Sequence, residues 1–244
     1  MWRGVLYCLA LCGGLLGGLA AHADAAAARM VIIIDDVGNN FALGKAAIEL
    51  PGKVTYAVLP GLAYSERLAR MAHEQGKEVM LHMPMANQGQ LALGPMGLER
   101  DMTAEQLRAT LSQALANVPF VAGINNHTGS FLTENANAMQ VVMNYLREHD
   151  LYFIDSLTSP DSVAFETARA LGVPALRRHV FLDHEQTDDF IMGQFSQALG
   201  ILERGTEVIV IGHPYPETIA FLNWMLPLLP EAGIEVVSPS QLLP

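Results

Sequence analysis

Two adjacent carboxylates, Asp35 and Asp36, stand directly after the apolar run Val31-Ile32-Ile33-Ile34 and just ahead of Gly38-Asn39-Asn40. Paired negative charges at the mouth of a buried run are costly unless a partner there uses them. The rest of the chain supplies polar residues placed in the same way. His82 lies in KEVMLHMPM, Asn125-Asn126-His127 follow FVAGI, Asp155-Ser156 end LYFIDS, Asp183-His184 end RRHVFLD, and His213 ends TEVIVIGH. A carboxylate and two imidazoles, with positions left for water, form the donor set of a hydrolytic Zn²⁺ or a similar divalent ion. We take Asp36, His82 and His127 as that set, since a cation there also stabilises the paired carboxylates. Asp35, left free beside them, is suited to act as general base toward a water. The amides of Asn125 and Asn126 are suited to orienting ligands or substrate, and Asp155 to lining the pocket.

These residues converge only if the elements before them run the same way. Eight short segments, apolar on both faces, read as buried strands: 30–35, 53–60, 77–85, 120–125, 151–156, 177–183, 206–214 and 234–239. Between them lie amphipathic stretches at 41–50, 64–75, 103–116, 134–148, 161–171, 187–204 and 215–229, with Thr103, Thr133 and Ser162 as N-cap candidates. Strands apolar on both faces that alternate with helices predict an α/β fold with a parallel sheet. Periodicity leaves a barrel and a doubly wound open sheet equally open. Both gather chemistry at the carboxyl ends of their strands, so His82, His127, His184 and His213 are predicted to share one rim with Asp35, Asp36 and Asp155. The segment 86–100 is the longest loop and reads as a flap.

The first 23 residues carry Arg3, an apolar stretch and the small-x-small end Ala21-His22-Ala23, the pattern of a cleaved secretory leader. We therefore expect a single domain over residues 24–244, exported, with a Gram-negative periplasm as the simplest compartment. Both cysteines, Cys8 and Cys12, fall within the leader, so the fold must rest on an ordinary core rather than on disulfides. The formal net charge of −11, with no cluster of Lys and Arg to offset it, repels phosphate backbones and argues against nucleic acid as a partner.

Taken together, IIIDDVG, LHMPM, GINNHTGS, FIDSLTS, HVFLD and VIVIGHP resemble the divergent polysaccharide deacetylases, a branch of the glycoside hydrolase/deacetylase fold. The resemblance spans Met30 to about Pro239. It implies a distorted (β/α) barrel of about seven parallel strands and metal-dependent removal of N- or O-acetyl groups from a polysaccharide or peptidoglycan-type glycan. It also implies Asp35 as base, Asp36 and His82 as metal ligands, and His213 as the general acid. Where the ordinary pattern has a second histidine four residues after the first, this chain has Ala86, so His127 must substitute. The Arg-Pro-Pro-Tyr segment is replaced by INNHTGS. These departures motivate a second reading, a non-catalytic module that binds a glycan or an envelope protein. A third, a glycoside hydrolase using Asp35 and Asp155 as its carboxylate pair, leaves the histidines without a task. Tyr56, Tyr64, Tyr152, Phe153 and Tyr215 are the candidate aromatic platforms for a sugar.

Overall fold

The computed structural model describes residues 28–205 and 207–243. The leader expected over residues 1–23 lies outside the described residues. Among the described residues, nine strands and seven α-helices follow one another in the alternation that the sequence predicts. The strands are β1 (Ala28–Val37), β2 (Thr55–Val58), β3 (Val79–Met85), β4 (Val121–Thr128), β5 (Tyr152–Asp155), β6 (Ala175–Arg177), β7 (Val180–Phe181), β8 (Glu207–Gly212) and β9 (Ile234–Val236). The helices are α1 (Phe41–Ile48), α2 (Ser65–Glu74), α3 (Ala104–Asn117), α4 (Ala136–Glu148), α5 (Ala164–Ala170), α6 (Asp188–Leu202) and α7 (Pro216–Met225). No helix among the described residues is long and apolar enough to cross a membrane.

All strand pairs are parallel, in the order β6-β5-β4-β3-β2-β1-β8-β7, with β9 paired to the start of β1. The segment predicted as one strand over 177–183 is in fact divided. Its first part, β6, adds to β5, and its second part, β7, adds to β8. Between them the Arg178 N–H donates to Asp155 O and the His179 N–H to Ile209 O, both at 2.9 Å. One stretch of chain thus serves both edges of the curled sheet, and it can do so only by leaving one ladder before starting the next. Counted as one strand, β6 and β7 complete a distorted barrel of seven strands, with β9 off the ring.

Side-chain alternation sets the two faces. Met30, Ile32 and Ile34 of β1 pack outward with the helices. Val31 and Ile33 face inward with Ala57, Met80, Ile154, Ile209 and Ile211, which is why the run before Asp35 is apolar without a break. The carboxyl ends of the strands extend further than the apolar runs suggest, because the β3–β4 ladder continues to the pair Met85 and Thr128. Asp35, Asp36, Asn125 and His127 therefore sit within strands, and His82 lies mid-strand in β3. Thr103 caps α3 through a full capping box with Gln106, as predicted. At α4 the cap is Asn135 rather than Thr133, whose hydroxyl donates to Gly129 O. At α5 Ser162 stands one residue before the cap and donates to Asp155. The 86–100 loop is tied back to the barrel through the Ala86 and Leu98 amides, bonded to Leu98 O and Pro84 O.

Gly123 in β4 stands where a Cβ would fall inside the buried Tyr152 ring. Gly123→Ala is expected to destabilise the protein by about 1–3 kcal/mol through overpacking. Gly193→Ala, inside α6 with nothing near its missing Cβ, should instead stabilise it by about 0.5–1 kcal/mol. Urea midpoints of the two variants check the opposite signs.

Candidate active site

In a regular strand Asp35 and Asp36 would point to opposite faces. Here β1 spends three steps, from Ile34 to Val37, against two on β2, from Tyr56 to Val58. This bulge is made by Asp36 in the left-handed region, with φ 57°, and it turns both carboxylates toward one imidazole. His82 Nε2 is 3.6 Å from Asp35 Oδ2 and 3.2 Å from Asp36 Oδ1. His127, delivered by β4 beside β3, places its Nδ1 2.9 Å from the same Asp36 oxygen and 3.1 Å from His82 Nε2.

The three predicted ligands therefore meet in a triangle of Asp36 Oδ1, His82 Nε2 and His127 Nδ1. Tetrahedral ligation with bonds of roughly 2.0–2.1 Å separates neighbouring donors by roughly 3.3 Å, close to the observed edges. Asp36 Oδ1, at the centre of the cluster, is buried without a hydrogen bond of regular geometry and is faced by the two imidazole nitrogens. The donor set and its spacing fit a divalent cation.

Asn125 fixes the protons around this triangle. Its Nδ2 donates to Asp35 Oδ1 at 2.8 Å, and an amide nitrogen has no acceptor role. Its Oδ1, 2.8 Å from His82 Nδ1, must then accept, so His82 carries a proton on Nδ1 and turns Nε2 toward Asp36. This is the outer-shell arrangement that orients a metal-binding histidine. Asn125 is wholly buried and is reached only because β4 lies between β3 and β5.

His213 approaches from the other side, after β8, with Nε2 3.9 Å from Asp36 Oδ2. Its orientation is imposed by Asp183, whose Oδ1 is 2.8 Å from His213 Nδ1. The other oxygen, Oδ2, accepts from the His213 backbone N–H at 2.6 Å and from Thr218 Oγ1 at 2.7 Å. Sequence analysis places Asp183 at a strand end but gives it no role, because the acidic residues Glu185, Asp188 and Asp189 that follow make the stretch look like a solvated surface. The available signal was the unbroken apolar Val180-Phe181-Leu182 before it, the same pattern that marks Asp35. His184, predicted for the rim, is exposed and lies against Phe181 and Phe190.

Asn126 and Asp155 are turned to the neighbouring loop instead. Asn126 bonds Thr128 O, Thr158 Oγ1 and the Ser156 N–H. Asp155 is fully buried, accepts from the Leu157 N–H and Ser162 Oγ, and lies 3.7 Å from Arg177 Nε. With its oxygens so engaged, Asp155 does not face Asp35 as a second carboxylate. Of the candidate aromatic platforms, Tyr56, Tyr152 and Phe153 are buried in the core, which removes them. Tyr64 and Tyr215 remain partly exposed.

The electrostatics separate the two adjacent aspartates. Burial pushes the Asp35 carboxyl up, offset only in part by His82, His213 and Asn125. Burial opposes the charge of Asp36 too, but the contacts from His127 and His82 outweigh it and hold that carboxyl far below its usual range. For His82 burial disfavours the cation, and the Asp35 and Asp36 carboxylates reverse this, raising it to about 9. His213 is likewise raised, burial being overcome by Asp183 and then by Asp35 and Asp36.

Asn125→Ala leaves His82 Nδ1 and Asp35 Oδ1 unpaired, and affinity for a divalent ion, with added Zn²⁺ as the probe, should fall by about 10–100-fold, measured by competition with a chelating dye. In metal-free protein, a His82 raised from 6.5 to about 9 stabilises the fold fully below pH 6.5, and this contribution is lost as pH rises through about 9. Urea midpoints across that window should fall for the chelated wild type and stay flatter for His82→Gln.

Comparison with known proteins places this geometry in a family. Residues 32–243 match the model of the divergent polysaccharide deacetylases. The uncharacterized protein YibQ of Escherichia coli (strain K12) is 36% identical over 225 residues, covering 92% of this chain and 70% of that protein. The crystal structure of the uncharacterized protein ATU2773 from Agrobacterium tumefaciens C58 superposes with a TM-score of 0.85 at 24% identity, over 94% of this chain and 92% of that one. The peptidoglycan deacetylase PdaC from Bacillus subtilis shares the fold at a TM-score of 0.52 and 12% identity, over 89% and 90% of the two chains. The chain belongs to the divergent polysaccharide deacetylase family.

Proposed function

We propose that this protein is an exported, zinc-dependent hydrolase that removes acetyl groups from a polysaccharide of the cell envelope. The observation that carries the reading is the meeting of Asp36, His82 and His127 in one ligand triangle, flanked by Asp35 on one side and His213 on the other. Asp36, His82 and His127 would hold a divalent ion, which would supply Lewis-acid polarisation and a lowered pKa for water. The leader pattern at the N-terminus supports a periplasmic location, and the family and PdaC support a glycan as substrate.

The residues around the triangle divide the proton work. Asp35, raised by burial, is a stronger base than an exposed carboxylate and takes a proton from the attacking water. Asn125 holds the Asp35 carboxylate by one oxygen and leaves the other free for that proton. His213 is raised above its ordinary value by Asp183 once the cost of burial is met, which favours the protonated form that an acid needs. Its Nδ1 proton is committed to Asp183, so Nε2 delivers the proton to the departing amine or hydroxyl as the carbon–heteroatom bond breaks. Two groups with pKa values set by different surroundings thus act as base and acid on one substrate.

Asp35→Asn should lower acetate release by about 10²–10⁴-fold with zinc content unchanged, and an undiminished rate in zinc-replete protein refutes the assignment. Asp183→Asn removes the carboxylate that raises His213. The alkaline limb of the pH–rate profile should then move to lower pH, because the acid loses its proton earlier.

A further inference from the structure

The mouth of the barrel has one sector to which the reaction above gives no role. Asp35 and Asp36 come from β1, His82 from β3, Asn125 and His127 from β4, and His213 follows β8. The sector between β5 and β8 is filled by Arg178, which joins β6 to β7. Leu176 packs in the barrel interior, and Arg177 turns outward, toward Glu166 and the Phe165 ring. Alternation then returns Arg178 to the inner side.

The Arg178 side chain is half-buried and held in place. Its Nε donates to Ser156 O at 2.7 Å and its Nη2 to Leu157 O at 2.9 Å. Its guanidinium lies 5.1 Å from the centre of the Phe181 ring, which itself stands edge-on to His213 at 5.2 Å. The loop presenting those carbonyls is shaped for the purpose. Leu157 has a left-handed φ of 47°, a conformation costly for a leucine, and Asp155 locks it by accepting the Leu157 N–H.

Among the described residues no carboxylate lies within ion-pair distance of this guanidinium. The acidic groups whose charge it feels, Asp155 and Asp35, are engaged elsewhere: Asp155 by Leu157, Ser162 and Arg177, and Asp35 by Asn125 and His82. No protein acceptor among the described residues is bonded to Nη1, and that atom is not among the buried unpaired ones, so it remains accessible to solvent. The guanidinium charge is met by two backbone carbonyls and a ring face but by no contact anion. The end formed by Nη1 and the second hydrogen of Nη2 is the fork that matches a planar carboxylate. With a formal net charge of −11 the protein as a whole does not attract anions, so recognition of one depends on contact with this fork.

We infer that Arg178 receives a carboxylate of the substrate, and that the glycan acted on here is an acetylated sugar bearing a carboxylate substituent. The inference rests on the hydrolase reading for the identity of the site, but its test is a binding preference that does not require turnover. Zinc-loaded wild type and Arg178→Gln are titrated calorimetrically with the disaccharide of N-acetylglucosamine and N-acetylmuramic acid, with its methyl ester, and with N,N′-diacetylchitobiose. These ligands differ in the lactyl carboxylate, its esterified form, and its absence. Wild type should bind the acid roughly 10- to 100-fold tighter than the ester or the neutral disaccharide, and Arg178→Gln should bind all three alike. Equal binding by wild type, retention of the preference in Arg178→Gln, or no binding of any of the three overturns the inference. The acid–ester comparison uses wild type alone and decides the matter even where Arg178→Gln does not fold. Acetate release from the same sugars is scored separately: a binding preference without release sinks the hydrolase reading and leaves the carboxylate site standing, and release without preference does the reverse.

Discussion

The ligand triangle depends on one backbone feature, the extra residue in β1 that puts Asp36 in the left-handed region. Without it the two carboxylates would lie on opposite faces of the strand, one in the barrel mouth and one against the helices. Aspartate tolerates this conformation better than most residues, but it still costs free energy, and the surroundings must hold it. Directly after the bulge, the Leu59 N–H donates to Val37 O and the Tyr64 N–H to Gly38 O. A Cβ at Gly38 would meet Ser65 Oγ and Leu59 O, so the chain there fits only a glycine. Asn40 closes the turn by accepting from the Ala42 and Leu43 amides at the start of α1. The DVGNN stretch is thus a clamp on the bulge, and the bulge is what makes a pair of carboxylates into a site.

The consequence is chemical differentiation of two identical neighbours. Asp35 continues the inward alternation of Val31 and Ile33, so it inherits the dry interior and its proton affinity rises. Asp36 leans out to two imidazoles and its affinity falls. Asn125 connects the halves, since one amide both donates to Asp35 and accepts from His82. A residue with a donor and an acceptor at opposite corners is needed there: aspartate would repel Asp35, and leucine would leave both partners unsatisfied. The His213–Asp183 pair repeats the principle across the mouth, with a buried carboxylate setting which nitrogen faces Asp36.

The fold and most of the site were legible in the chain. Unbroken apolar runs that end in a polar residue mark parallel strands covered on both faces, and the predicted strands and helices agree with the observed ones to within a few residues at most ends. The exception is 177–183, whose residues do not reveal that they pair with two different edges. Asp35, Asp36, His82, His127, Asn125 and His213 are brought together as their positions at strand ends suggested. Asp155 and Asn126 occupy equivalent positions but bond the β5–α5 loop, a choice that depends on side-chain rotation. Asp183 was hidden by the acidic residues after it, and Arg178 by lying between two short ladders.

The sequence by itself determined the order of elements, the parallel sense of the sheet and the polar residues at its carboxyl ends, because periodicity and burial are local properties of a chain. Only the tertiary structure decided which of those residues face one another. That choice was made by a single left-handed residue in β1, by the sheet order that sets β4 beside β3, and by the curl that brings β8 and Arg178 around to the same mouth. These are contacts between segments up to about 180 residues apart, such as Ile34 with Gly212, and no local pattern encodes them.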